Sequence, residues 1–116
     1  MTILQILWAI TCVLAITAGQ ILFKRLGMEI QAGSSLFSFK VLGMAFMAFF
    51  IYGGATFLWI YLLRYVPLNK AYLFMALSFV FVPLAGHFFL SERITFGAII
   101  GGSLIISGIF IASKFG

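Results

Sequence analysis

Among the uncharged polar side chains within the apolar stretches of this sequence, four could form a polar path: Thr17, Gln20, Tyr72 and Ser78. Thr17 and Gln20 stand three apart, so on a helix they share a face with Val13 and Ile16. Cations stand at the edges of the same stretches, with Lys24 after the first and Arg64 and Lys70 around the turn near Pro67. Hydroxyl, amide and phenol groups bind by hydrogen bonds, and Lys and Arg bind anions, phosphate among them. The groups that would break a covalent bond are missing. The chain has two acids, Glu29 and Glu92, one histidine, His87, and one cysteine, Cys12. No Ser/His/Asp or Cys/His arrangement can be built from these, and a lone thiol makes no metal site. Gly101-Gly102 lies inside an apolar run between isoleucine and serine, not in a phosphate-cradling loop. No catalysis, metal or cofactor is expected.

The elements that carry these residues must sit in lipid. Of 116 residues, 65% are hydrophobic and 8% are charged. A globule of this size leaves much of its surface in water and cannot hide that much apolar area. A bilayer-spanning helix needs roughly 20 apolar residues, and four runs of that kind occur at about 3–23, 41–63, 71–90 and 94–113, none containing Lys, Arg, Asp or Glu. Backbone groups in lipid must bond within their own segment, so the runs are helices. The alternation of a membrane barrel is absent. The fold expected is an all-α, four-transmembrane-helix bundle in a single domain. The first run lacks the basic n-region of a secretory signal and is expected to stay as a helix. The formal charge of +5 is scattered over helix ends, which fits lipid head groups, and no nucleic-acid partner is expected.

Along the chain, Lys24-Arg25 followed by Gly27 predicts the end of the first helix. Thr11, Ala15 and Gly19 form a small-residue stripe beside the Thr17/Gln20 face. Residues 28–39 are the longest connection, broken at Gly33-Ser34-Ser35. The second helix carries Gly53-Gly54, a candidate bend. Trp59, Tyr61 and Tyr65, with Trp8 and Tyr72, predict an aromatic belt on one face. Asn69 is the expected N-cap of the third helix. Pro83 within it removes a backbone bond and is a second candidate bend. His87 is either a helix-end residue satisfied by a neighbour or a proton relay. Glu92 stands near the expected start of the fourth helix. That helix repeats small pairs at spacing four, Gly97/Gly101, Ala98/Gly102, Ser103/Ser107 and Gly108/Ala112. Such a face packs inside the bundle or against another subunit. Arg64, Lys70 and Lys114 at one membrane face stand against Lys24, Arg25, Lys40 and Arg93 at the other, too even a division to give orientation.

Four short helices, the Tyr65-Val66-Pro67 turn, Ala71-Tyr72 opening the third helix and the small-rich fourth helix resemble the small multidrug resistance branch of the drug/metabolite transporter superfamily. Residues 71–94 also resemble the closing half of its ten-helix members. Drug-exporting members carry a glutamate eight residues before the lysine that matches Lys24, and here that position is Ile16. The glycine hinge of their third helix is also missing, with Met75 and Ala76 in its place. Ala18-Gly19-Gln20 leading to Lys24 instead resembles the EamA-like small subunits that flip aminoarabinose linked to undecaprenyl phosphate. Asn69-Lys70 departs from the small-apolar pair usual there before Ala-Tyr.

The resemblance implies a multi-pass protein of the bacterial inner (cytoplasmic) membrane, whose substrate is a polyprenyl-phosphate-linked sugar. It implies assembly as a homodimer or as a heterodimer with a similar four-helix subunit. Thr17, Gln20, Tyr72 and Ser78 would line the head-group path, with Lys24 at one end and Arg64 and Lys70 at the other. Taken singly, each cation is more often a snorkelling anchor, and Gln20 is as often an interhelical hydrogen bond. Two other functions stay open: a small multidrug or polyamine exporter, and a non-transporting membrane partner subunit.

Overall fold

A computed structural model describes residues 2–33 and 35–115. Its elements are α1 (Ile3–Gln31), α2 (Phe39–Leu63), α3 (Leu68–Met75), α4 (Ser78–Leu90) and α5 (Phe96–Phe115). α3 and α4 follow one another as one broken rod, so the chain is an all-α membrane bundle of four rods. Three stretches, Ile3–Gln31, Phe39–Leu63 and Leu68–Leu90, are long and apolar enough to cross a membrane. α5 is apolar over Phe96–Ala112, at the short end of what spans hydrocarbon.

α1 begins with a reciprocal cap. The Thr2 hydroxyl accepts from the Gln5 amide at 3.2 Å, and the Gln5 side chain accepts from the Thr2 amide at 3.1 Å. It does not stop at Lys24-Arg25 but runs on through Gly27 to Gln31, 29 residues in all. At 1.5 Å per residue that is about 44 Å, against roughly 30 Å of hydrocarbon. The turns beyond Lys24 therefore stand in the head-group layer. They are held there by an ion pair, Glu29 to Lys40 at 2.8 Å, and the glycine that ends the helix is Gly33, at φ 98°. Ser34, expected in the same turn, lies outside the described residues.

α2 returns antiparallel to α1. Its buried residues are Val41, Ala48, Ala55 and Leu62, a spacing of seven that keeps one seam facing the partner. α1 answers with Ala9, Cys12, Val13, Thr17 and Gly19. Most of these are small, so the backbones approach closely. Gly19 shows how closely: a Cβ there would stand 2.9 Å from Tyr52 Cδ2. α2 passes through Gly53-Gly54 without interruption. At its C-terminal end the Trp8 indole donates to the Leu58 carbonyl at 2.9 Å. Trp8 and Trp59 pack on a small cluster of Ala9, Leu62, Val66 and Ala71, while Tyr61, Tyr65 and Tyr72 stay exposed at that membrane face.

Pro67, extended at φ −58° and ψ 143°, starts α3. Its carbonyl accepts from the amides of Lys70 and Ala71, so Asn69 falls inside the first turn and is not the cap. The rod then breaks at Ala76-Leu77 and not at Pro83. Leu77, Phe79 and Val80 each donate three residues back, to Phe74, Ala76 and Leu77, which is the tighter 3₁₀ pitch. Pro83 withholds one bond, to the Phe79 carbonyl, and α4 absorbs it in its second turn. α4 closes on Ser91, in the left-handed region at φ 56°, with the Glu92 amide donating to Gly86 at 3.2 Å. Thr95 accepts from Ala98 at 3.1 Å and opens α5, so residues 91–95 form the connection and Glu92 precedes the helix.

The result is a slab 50 × 36 × 17 Å. α1 lies in the middle, with α2 on one side and α3–α4 on the other, and α5 is held mainly by α3 and α4. Gly97, Ala98, Ser103, Ser107 and Gly108 of its small-residue face are exposed.

Ala48→Leu forces three extra carbons into the α1–α2 seam and is expected to cost about 1–3 kcal/mol. Phe46→Leu, at a position 75% exposed to lipid, is expected to stay within about 0.5 kcal/mol of wild type. Unfolding in mixed micelles by SDS titration checks both.

Candidate substrate-binding cleft

Helical hydroxyls in this bundle mostly satisfy themselves. Thr11, Thr17, Thr56, Ser103 and Ser107 each donate to the carbonyl four residues back, at 2.8–2.9 Å. Some polar side chains do not, and four of those lie together. The side chains of Gln20, Tyr52, Tyr72 and Ser78 make no hydrogen bond among the described residues, and all four line one cleft of about 420 Å³.

Each helix of the central group contributes to that cleft. α1 gives Ile16 and Gln20, one turn apart. α2 gives Tyr52, α3 gives Tyr72 and Met75, and α4 gives Ser78, Phe79, Val82 and Pro83, with Ala76 from the break between them. The volume is that of a small-molecule site, with apolar walls and few polar groups. No charged side chain lines it. The broken part of the α3–α4 rod is one wall, which is where a membrane bundle tolerates irregular backbone. The Tyr52 ring is seated by the missing Cβ of Gly19 and by Phe23, whose ring centroid lies 5.6 Å away.

The expected site residues divide. Gln20, Tyr72 and Ser78 come together. Thr17 does not join them: it is 6% exposed and its hydroxyl bonds Val13. The two residues share a sector of α1, but Thr17 faces the α1–α2 seam. Lys24 stands one turn beyond Gln20 and borders a separate surface recess with Phe23, Gly27 and Gln31. Arg64 is far from the cleft, its guanidinium 5.2 and 4.9 Å from the ring centroids of Tyr61 and Tyr65 and donating to the Tyr65 hydroxyl. Lys70 is exposed on the first turn of α3. Tyr72 also borders a recess with Leu68 and Asn69, so it stands between the Lys70 end of the bundle and the cleft. His87 lies outside the cleft, its Nδ1 2.9 Å from the Glu92 carbonyl.

Tyr52 was not among the residues picked from the sequence. Its signal was available, since it is the phenol midway along the second apolar run, but that run could equally have turned it to lipid.

The EamA-like transporter family profile matches residues 2–114 of the chain. The chain belongs to the EamA-like transporter family. Among curated members of known name, it is 36% identical to a probable 4-amino-4-deoxy-L-arabinose-phosphoundecaprenol flippase subunit ArnE from Hamiltonella defensa, over 53% of this chain and 55% of the relative. It is 31% identical to the ArnE subunit of the same description from Pseudomonas fluorescens, over 62% and 63%. The corresponding ArnF subunit from Proteus mirabilis is 30% identical over 93% of this chain and 90% of its own length. The ArnE matches thus span little more than half of those relatives. No solved structure matches the chain.

Cysteine scanning tests this placement. With Cys12 replaced by alanine, Gln20→Cys and Ser78→Cys are expected to react with a small water-soluble thiol reagent about tenfold faster than Thr17→Cys, because reaction follows access. Equal rates at the three positions would contradict the cleft.

Proposed function

We propose that the chain is a subunit of a flippase of the bacterial inner membrane, moving the head group of a polyprenyl-phosphate-linked sugar of the aminoarabinose type. The observation that carries this reading is the convergence of an amide, two phenols and a hydroxyl, all without hydrogen-bond partners in the chain, on one uncharged cleft.

Such a substrate has a tail that stays in lipid and a polar head that must cross. The head needs hydrogen bonds to replace water, and Gln20, Tyr52, Tyr72 and Ser78 offer donors and acceptors. Lys24 beyond one end, with Arg64 and Lys70 beyond the other, would receive the phosphate as it enters or leaves. Tyr72, between the Lys70 end and the cleft, is the natural threshold. The tightened backbone at Ala76-Leu77 is the element that bends to open one side or the other, in the manner of discontinuous helices in transporters. Thr17 holds α1 to α2 and acts on the path through packing.

Ile16 bears on the choice between flipping and proton-driven export. It lines the cleft, and it occupies the place where drug-exporting relatives of this fold carry glutamate. The cleft therefore has the wall position for a proton carrier without the carboxylate. The names of the relatives agree with a flippase, and their substrate is the reason for the sugar class suggested here. A slab 17 Å thick does not surround a route by itself. A second four-helix subunit, a copy or a sister protein, would close it along the small-residue face of α5.

Gln20→Leu and Ser78→Ala are expected to lower the appearance of lipid-linked sugar on the outer leaflet by about tenfold each, the effect of one hydrogen bond to a polar or charged head group. Insertion is checked separately. Unchanged flipping in both variants would remove the cleft from the mechanism.

A further inference from the structure

We propose a second binding site, at head-group depth, in which Arg25 and Lys40 hold the phosphate of a lipid and Glu29 occupies Lys40 when the phosphate is absent. The site is a cleft of about 470 Å³ between the outer turns of α1, the start of α2 and the end of α4, bordered by Arg25, Glu29, Lys40, Met44 and Ser91 among others. It is distinct from the uncharged cleft described above and shares no residue with it.

Three facts point to an anion. First, two cations reach this cleft from different helices and are held there by the protein. Arg25 donates to the Phe89 carbonyl at 3.1 Å, across to the end of α4, and Lys40 pairs with Glu29 at 2.8 Å. A snorkelling anchor would extend into the head groups instead. Second, both keep donors to spare. Arg has five N–H donors and Lys three, and one contact of each is accounted for. Third, the groups that oppose an anion here are Glu29, which lines the cleft, the carbonyl end of α4, where Arg25 already covers one carbonyl, and Glu92, which lies outside the lining with its carboxylate beside Gly86. Only Glu29 competes with the incoming group for the same ammonium.

Depth gives the source of the phosphate. Arg25 lies just past Lys24 on α1, five residues or about 7–8 Å along the axis from Gln20. That puts the cleft at the level of lipid phosphates, one step outward from the head-group path. The chemistry rests on this cleft alone. The role, a waiting place for the phosphate of the substrate lipid, rests on the flippase reading above. Glu29 makes the site reversible: the phosphate takes Lys40 from Glu29 on arrival, and the Glu29–Lys40 pair reforms when it leaves.

The test is binding to the purified full chain in neutral detergent, followed by native mass spectrometry, with dodecyl phosphate and inorganic phosphate as probes. Dodecyl phosphate is expected to bind at least about tenfold tighter than inorganic phosphate. Arg25→Gln and Lys40→Gln are each expected to weaken it about tenfold, and Glu29→Gln to strengthen it severalfold. Arg93→Gln, the same change of charge on the same membrane face but outside the cleft, is expected to leave binding unchanged. The gain from Glu29→Gln cannot come from a misfolded chain. The site is overturned if Arg25→Gln and Lys40→Gln bind as wild type, if Glu29→Gln binds no tighter, or if Arg93→Gln loses as much as they do. Equal binding of inorganic phosphate overturns the lipid source. Because no transport is measured, these outcomes stand apart from the effect of Gln20→Leu on flipping.

Discussion

A polar group surrounded by hydrocarbon must find a partner or cost several kcal/mol, and that constraint orders this bundle. Most helical hydroxyls turn back onto their own helix, as Thr17 does to Val13 and Ser103 to Ile99. The two tryptophans at the Trp8 end pack inward, with the Trp8 indole closing on Leu58. Arg25 closes on Phe89 and Lys40 on Glu29. Against that background the side chains of Gln20, Tyr52, Tyr72 and Ser78 make no hydrogen bond, and they are adjacent. A scatter of unsatisfied groups would be a defect of packing. Their convergence puts an amide, two phenols and a hydroxyl on one cleft.

The two sides of the cleft are packed differently. α1 and α2 are joined along a seam of small residues and tied at both ends, by Trp8 to Leu58 and Glu29 to Lys40. That pair is the rigid side. The α3–α4 rod is the irregular side, since its ladder tightens at Ala76-Leu77 next to the cleft. Phe79 and Pro83, which wall the cleft, also border a gap of about 150 Å³ toward α5. The rod therefore has room on more than one flank. α5, held mainly by α3 and α4, presents Gly97, Ser103, Ser107 and Gly108 outward, a surface of the kind that pairs helices in lipid.

Much of this was legible in the residues. Four helical rods follow from apolar runs of bilayer length without charge, and the α2–α3 hairpin follows from the short turn at Pro67. Gln20, Tyr72 and Ser78 stood out as polar groups where lipid would be the alternative neighbour. Other features were not legible. The end of α1 was expected at Lys24-Arg25 because cations and glycine suit a helix stop, yet the Glu29–Lys40 contact carries the helix onward, and that contact depends on where α2 starts. The break in the third rod was expected at Pro83, the residue with a missing amide. It occurs at Ala76-Leu77, where neither residue is a helix breaker by type.

The amino-acid sequence by itself determined that this chain lives in a membrane as helices, because no other solvent accepts so much apolar surface and no other backbone satisfies itself there. It also determined that the first span carries no acid at position 16. Only the tertiary structure decided which polar side chains meet. Thr17 and Gln20 are one turn apart and look equivalent in one dimension, but the α1–α2 seam takes Thr17 and leaves Gln20 to the cleft. Tyr52 joins because Gly19, on the neighbouring helix, leaves space for its ring. Those choices depend on which faces of two helices touch, and a helix with apolar residues all round does not encode that in its own pattern.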